Sequence, residues 1–294
     1  MTGMSARHSR VFAGSSGARL KASTFDAAAP LGLTALLLHG GGQTRHAWDT
    51  TARALARAGI NAVALDQRGH GESDWIADGS YNFADFAADV TGVTDAIAAA
   101  DGRRPVVVGA SLGGIAALLA MEQRGDVIAG LVLVDVTPQL DPQGVANVRS
   151  FMGANAQEGF ASVAEAADAI AVYLPHRPRP KSLDGLSKNL RLRVDGRFYW
   201  HWDPRFLVGP HPVGAHDADL LAALAGVARN ASVPLLLVRG VESELVRDRE
   251  VAEFRALCPQ AEFVDVAGAR HMVAGDRNDA FSGAIVEFLL RRFA

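Results

Sequence analysis

A serine flanked by two glycines gives this sequence its clearest chemical signal. Residues 109–113 (GASLG) have the spacing G-x-S-x-G and follow a run of three valines. In a sharp turn from a strand to a helix, small residues let the two elements approach closely while the serine takes a strained backbone conformation. The serine hydroxyl then projects beyond the strand, beside free amides at the start of the helix. The sequence therefore predicts that Ser111 is a nucleophile.

A serine hydroxyl is a poor nucleophile until a base removes its proton, and that base is most often histidine. In the arrangement that accompanies this turn, the histidine comes last along the chain. His271 fits that place because it follows the last strand pattern, 261–266, and precedes the last helical pattern, 279–293. The other eight histidines fit worse, and none shows the zinc-binding spacing H-E-x-x-H, so we expect no metal.

A carboxylate must orient His271 and stabilise the imidazolium. The loop after the apolar run 235–238 is the expected source, and it offers Glu242 and Glu244. Asp135, at the end of the apolar run 130–136, is a further candidate on a neighbouring strand. We favour Glu244, with Asp135 as the first alternative and Glu242 as the second.

Short apolar runs alternate with helical patterns around these residues. This alternation is typical of parallel β-α-β units, and nearly continuous apolar runs indicate strands that are buried on both faces. The alternation stops in the middle of the chain and resumes after Pro234. It predicts an α/β fold with a mostly parallel central sheet flanked by helices. The strand patterns lie at 34–38, 62–65, 105–108 and 130–136, and the helical ones at 48–58, 83–100 and 112–123.

The middle of the chain breaks this alternation. Helical patterns at 141–155 and 160–172 are followed by a basic, proline-rich loop at 173–180 and an aromatic cluster at 198–202. We therefore predict an α/β core formed by residues 1–137 and 231–294, with an inserted helical cap at 138–230. The basic run 177–181 is interpreted as a solvated loop rather than a site for an anionic substrate.

The composition excludes several classes of function. Lysine and arginine total 29 against 32 acidic residues, a net charge of −3, which argues against binding to nucleic acid or an anionic membrane. A single cysteine, Cys258, excludes an intrachain disulfide and any multi-cysteine metal site. No apolar run suits a membrane span and residues 1–10 do not resemble a signal peptide, so we expect a cytoplasmic protein, either a monomer or a homodimer.

Taken together, the motifs resemble the α/β-hydrolase superfamily, in particular its bacterial, cap-bearing branch of esterases, haloperoxidases and epoxide-hydrolase-like enzymes. The resemblance covers most of the chain and depends on four segments: HGGG at 39–42, DQRGHGES at 66–73, GASLGG at 109–114 and GARHM at 268–272. It implies a cap between strands six and seven of the sheet. It also implies an oxyanion hole made by the backbone amides of Gly41 and Leu112, and no cofactor. The acid of this family is usually an aspartate, whereas this chain has Glu244 at that place.

The expected function is hydrolysis of a carboxylic ester or related small acyl compound through an acyl-enzyme. Ser111 argues against epoxide hydrolase and haloalkane dehalogenase activity, because relatives with those activities carry an aspartate nucleophile. Two alternatives are hydrolysis of a carbon–carbon bond beside a ketone, and ligand binding with negligible turnover. Candidates to line the pocket, most of which we expect only to pack the cap together, are Phe151, Met152, Tyr199, Trp200 and Trp202.

Overall fold

The computed structural model describes residues 7–175, 182–214, 217–271 and 278–294. Its main feature is an eight-stranded sheet with the order β1-β2-β4-β3-β5-β6-β9-β10. The strands β1 and β2 form an antiparallel hairpin at one edge, and β2 pairs antiparallel with β4. The remaining pairs are parallel, so the predicted α/β fold is confirmed. The strands are β1 (Arg7–Ala13), β2 (Arg19–Phe25), β3 (Thr34–Leu38), β4 (Asn61–Leu65), β5 (Val106–Ala110), β6 (Gly130–Val134), β7 (Leu190–Leu192), β8 (Phe198–Trp200), β9 (Leu235–Gly240) and β10 (Glu262–Val266).

Helices cover both faces of this sheet. Both faces of the strands are apolar and need to be covered. In β3, Leu36 and Leu38 pack into one apolar cluster, while Ala35 and Leu37 pack into the cluster on the other face. The first cluster includes residues of α2 and α3, and the second includes residues of α1 and α9. The helices are α1 (Asp49–Arg57), α2 (Phe83–Asp101), α3 (Leu112–Gln123), α4 (Pro142–Gly153), α5 (Val163–Tyr173), α6 (Asp184–Ser187), α7 (Asp217–Asn230), α8 (Asp248–Leu257) and α9 (Ser282–Phe293).

The segment predicted as a cap, residues 138–230 and called the cap below, lies between β6 and β9, which are the sixth and seventh strands of the main sheet. It is mainly helical, but the aromatic run 198–200 forms β8, which pairs antiparallel with β7. Its last helix, α7, packs against α3 and α8 of the core. Backbone hydrogen bonds join the cap to the turn that follows β4: the Gly71 amide donates to the His201 carbonyl at 2.7 Å, and the Asp203 amide donates to the Gly69 carbonyl at 2.8 Å. In the described ranges, no helix combines the length and the apolar character that crossing a membrane requires.

Candidate active site

Ser111 lies at the junction of β5 and α3, in the strained turn that the sequence predicts. Its backbone has φ 46° and ψ −114°, in a region that side chains rarely adopt. The flanking residues must be glycines because a side chain at either position would collide with neighbouring atoms. A Cβ atom added to Gly109 would lie 2.5 Å from the Gly113 carbonyl carbon, and one added to Gly113 would lie 2.5 Å from Leu38 Cβ. The turn therefore depends on the two glycines and lifts Ser111 out of the strand.

Asp135 ends the neighbouring strand at the same level as the serine. In the parallel register, Ala110 is paired with Val134, so Ser111 and Asp135 are the next residues of adjacent strands. The Ser111 amide donates to the Val134 carbonyl at 3.3 Å, and Asp135 also has a positive φ, 52°. Both residues thus leave the sheet at its carboxyl edge, where side chains from different strands converge.

His271 meets Asp135 at this edge. Its Nδ1 atom is 2.8 Å from Asp135 Oδ2, and both side chains are buried. An ionised carboxylate only accepts hydrogen bonds, so the Nδ1 atom carries the proton. This tautomer leaves Nε2 as the ring nitrogen that can take a proton from a hydroxyl. The last residue of the GARHM motif, Met272, lies outside the described residues.

The structure corrects the preference for Glu244 as the partner of His271. Glu244 Oε1 instead accepts a hydrogen bond from the Tyr173 hydroxyl at the end of α5 in the cap. Burial and this hydrogen bond raise the pKa of Tyr173, so its hydroxyl remains a donor. Glu242, the second alternative, forms an exposed ion pair with Arg270 at 2.7 Å.

The path of the loop after β9 gives the physical reason for this correction. The Ser243 amide donates to the Gly240 carbonyl at 3.0 Å, which closes a tight turn. That turn directs residue 243, and neither residue 242 nor residue 244, onto the Asp135 carboxylate. Sequence reasoning assigned no role to Ser243, although a hydroxyl residue between the two candidate acids was the available signal.

The glycine-rich loop after β3 lies beside the serine. A Cβ atom added to Gly40 would be 3.5 Å from Ser111 Cβ. The Gly40 amide donates to Gln43 Oε1 at 3.0 Å, and the Gly42 amide donates to His70 Nε2 at 3.2 Å. The amide of Gly41, the residue between these two glycines, has no hydrogen bond acceptor among the described residues. Leu112 is the first residue of α3, so its amide has no acceptor within the helix. Gly41 and Leu112 are the two residues whose amides are predicted to form an oxyanion hole, and that role stays a prediction.

Two buried histidines, His39 and His70, hold this loop. The Gln67 amide donates to His39 Nε2 at 3.1 Å, and His39 Nδ1 lies 2.8 Å from the Gly40 carbonyl. His70 repeats the pattern, since its Nδ1 lies 2.9 Å from the Arg68 carbonyl while its Nε2 accepts the Gly42 amide. Each ring therefore accepts at Nε2 and donates from Nδ1, which only the neutral form can do.

Burial explains why both rings stay neutral. It lowers the pKa of His39 to about 4. Burial, followed by repulsion from His39, lowers the pKa of His70 to about 3. Both residues come too early in the chain to be the predicted base. Their positions in the HGGG and DQRGHGES segments were the signal that they support the site.

Cap side chains cover the glycine-rich loop. A Cβ atom on Gly41 would lie 3.4 Å from Phe206 Cζ and 3.7 Å from Met152 Cε. Phe206, which sequence reasoning did not single out, lies edge-on to the His70 ring at 4.9 Å between centroids. A buried hydrogen bond of 2.7 Å between Tyr81 and Asp203 fixes the turn that carries Phe206.

The other candidate lining residues mostly make contacts within the cap. Phe151 stacks on Tyr173 at 4.4 Å, and Trp200 is edge-on to Phe160 at 5.1 Å. The Tyr199 hydroxyl donates to Asp195 at 2.7 Å. The Trp202 ring is edge-on to the Phe206 ring, with 6.2 Å between the centroids. The basic run 177–181 lies outside the described residues.

Side chains suited to nucleophilic chemistry lie at one edge of the sheet. A strained serine and a buried histidine–carboxylate pair follow the strands that end there, and the glycine-rich loop lies beside the serine. In the part of the chain that the structure describes, no cluster of three or more histidine, cysteine or acidic side chains is arranged to hold a metal ion.

Comparisons with known proteins agree with this geometry. A family model described as the alpha/beta hydrolase fold matches residues 36–277. The chain is 32% identical over 222 residues to esterase Rv0045c of Mycobacterium tuberculosis, covering 74% of this chain and 69% of that one. It is 29% identical over 269 residues to the mouse sn-1-specific diacylglycerol lipase ABHD11, covering 86% and 80% of the two chains. The crystal structure of E-2-(acetamidomethylene)succinate hydrolase shares the fold, with a TM-score of 0.79 at 23% identity over 97% of this chain and 99% of that one. The chain therefore belongs to the α/β-hydrolase family and is a hydrolase.

Proposed function

We propose that this hydrolase is a serine esterase that cleaves a small carboxylic ester through an acyl-enzyme. The observation that carries the proposal is the 2.8 Å contact between His271 Nδ1 and Asp135 Oδ2 at the sheet edge that also bears Ser111. This contact orients the imidazole and leaves Nε2 as the ring nitrogen that would act as the base. The esterase and lipase relatives support the choice of an ester as substrate.

The proposed reaction has two halves. In the first, Ser111 Oγ attacks the ester carbonyl while His271 Nε2 takes its proton, and the Gly41 and Leu112 amides bind the oxyanion. The carbon–oxygen bond to the alcohol then breaks, and His271 returns the proton to the departing alkoxide. In the second, water attacks the acyl-enzyme, His271 takes its proton, and collapse releases the acid and restores Ser111. Asp135 stabilises the imidazolium in both halves.

The side chains over the glycine-rich loop support an apolar group in the substrate. Phe206 and Met152 are the cap side chains next to Gly41, and neither offers a charge or a hydrogen bond donor. The neighbouring guanidinium of Arg205 is bound to Asp203 at 2.7 Å. Nothing in the described residues favours cleavage of a carbon–carbon bond over cleavage of an ester.

The experiment compares wild type, Ser111→Ala and the surface control Ser9→Ala on p-nitrophenyl esters of graded acyl length. We expect Ser111→Ala to lower kcat by about 10⁴–10⁶ and Ser9→Ala to leave it unchanged. A fluorophosphonate should label wild type and Ser9→Ala on the peptide that contains residue 111, and should not label Ser111→Ala. Near-full activity of Ser111→Ala, or folded wild type that resists labelling, would overturn the proposal.

A further inference from the structure

A buried serine in the loop after β9 contacts the carboxylate of Asp135. Ser243 Oγ lies 2.7 Å from Asp135 Oδ2, and only 7% of Ser243 is exposed. The same oxygen accepts the amides of Leu245 at 3.1 Å and Val246 at 3.2 Å. Because those two donors occupy its acceptor side, the single hydroxyl proton points at Asp135.

From the residues that the structure describes, the Asp135 carboxylate accepts three hydrogen bonds. Oδ2 accepts from His271 Nδ1 and from Ser243, while Oδ1 accepts from the Gly240 amide at 3.2 Å. Bonds to both oxygens fix the rotation of the carboxylate. Two of these donors, Gly240 and Ser243, come from the end of β9 and its loop, where the sequence predicted the acid itself.

We infer that Ser243 is a positioning residue that holds Asp135 Oδ2 in line with His271 and tempers the negative charge that His271 experiences. The inference rests on the proposed function, since the role is expressed only in a reaction that uses His271 as its base. The loop after β9 thus supports the Asp135 carboxylate instead of supplying the carboxylate itself.

Removing the hydroxyl should act on catalysis in two ways. Asp135 would be freer to rotate away from His271, which we expect to lower kcat about tenfold with little change in KM. Its oxygen would also carry more charge and hold the imidazolium more tightly. The acidic limb of the kcat/KM profile should then move to higher pH by about half a unit. Among the charged residues of the adjoining loops, Arg270 and Glu242 pair with each other, and Glu244 is bound to Tyr173.

The test measures kcat, KM and their pH dependence on a p-nitrophenyl ester for Ser243→Ala, with Ser9→Ala as the control. The same substitution is then made in Asp135→Asn. If Ser243 acts through Asp135, the tenfold loss and the shift in pH dependence disappear in that background. The inference is overturned if Ser243→Ala leaves kcat and the pH profile unchanged. It is also overturned if Ser243→Ala lowers kcat by the same factor in wild type and in Asp135→Asn.

Two further measurements keep this test decisive. If Ser243→Ala does not fold, because the Leu245 and Val246 amides lose their acceptor, Ser243→Cys takes its place with a side chain that is a weak donor. Ser111→Ala separates the two proposals. Its retained activity would refute the esterase mechanism, whereas its inactivity beside a normal Ser243→Ala would refute only the role of Ser243.

Discussion

The partner of the histidine can be tested by replacing two carboxylates with their amides. Asp135→Asn preserves shape, but it puts an amide where Oδ2 now accepts His271 Nδ1 at 2.8 Å. An amide nitrogen at that position donates to Nδ1, so the proton moves to Nε2. The resulting tautomer cannot accept a proton from Ser111. We expect kcat to fall by about 10³–10⁴, the loss seen when a triad aspartate becomes asparagine. At about 1.4 kcal/mol per factor of ten, this is about 4–5.5 kcal/mol of transition-state stabilisation.

Glu244→Gln is the matched control because the sequence favoured this residue. Glutamine keeps an oxygen that can accept the Tyr173 hydroxyl, and it leaves the contact between Asp135 and His271 intact. We therefore expect kcat within about twofold of wild type, the range of a substitution away from the reacting groups.

The assay is steady-state hydrolysis of a short p-nitrophenyl ester from about pH 5 to 9, where the base titrates in serine hydrolases. Circular dichroism and the thermal midpoint establish that both variants are folded. The reasoning is refuted if Glu244→Gln loses more activity than Asp135→Asn, or if Asp135→Asn stays within about tenfold of wild type.

Three further predictions concern the surroundings of the site. The pKa values of His39 and His70 are lowered in the folded state, so stability is full above about pH 6.5 and falls as the unfolded rings take up protons. The free energy of unfolding in urea should decrease by about 3 kcal/mol between pH 6.5 and 5, and a constant value would contradict neutral rings. Phe206→Ala removes the ring beside Gly41 and should shift the preferred acyl chain of a graded ester panel toward longer chains; an unchanged preference would show that the ring does not border the acyl group. Gly113→Ala forces a Cβ atom against β3 and should destabilise the fold by about 2–4 kcal/mol, whereas Gly226→Ala, with open space in α7, should be neutral or stabilising. Equal unfolding free energies for the two alanine variants would contradict this reading.

Elements buried on both faces were predictable from the sequence. The apolar run 34–38 coincides with β3, and the run 105–108 overlaps β5, because parallel strands covered by helices leave little room for polar residues. The hairpins β1–β2 and β7–β8 were not predicted. β1 is an edge strand with mostly exposed side chains, and the strands of the cap hairpin are three residues long, so neither gives a continuous apolar signal.

The turn around Ser111 was determined by the sequence, because its requirements are local. Glycines two residues before and after the serine permit the close approach of β5 and α3, and no distant residue can substitute for them. The partner of His271 was decided by the tertiary structure. Asp135 and Glu244 both follow strands that end at the same edge of the sheet. Only the path of the loop after β9, which turns at Gly240 and presents a serine to Asp135, determines which carboxylate the imidazole reaches.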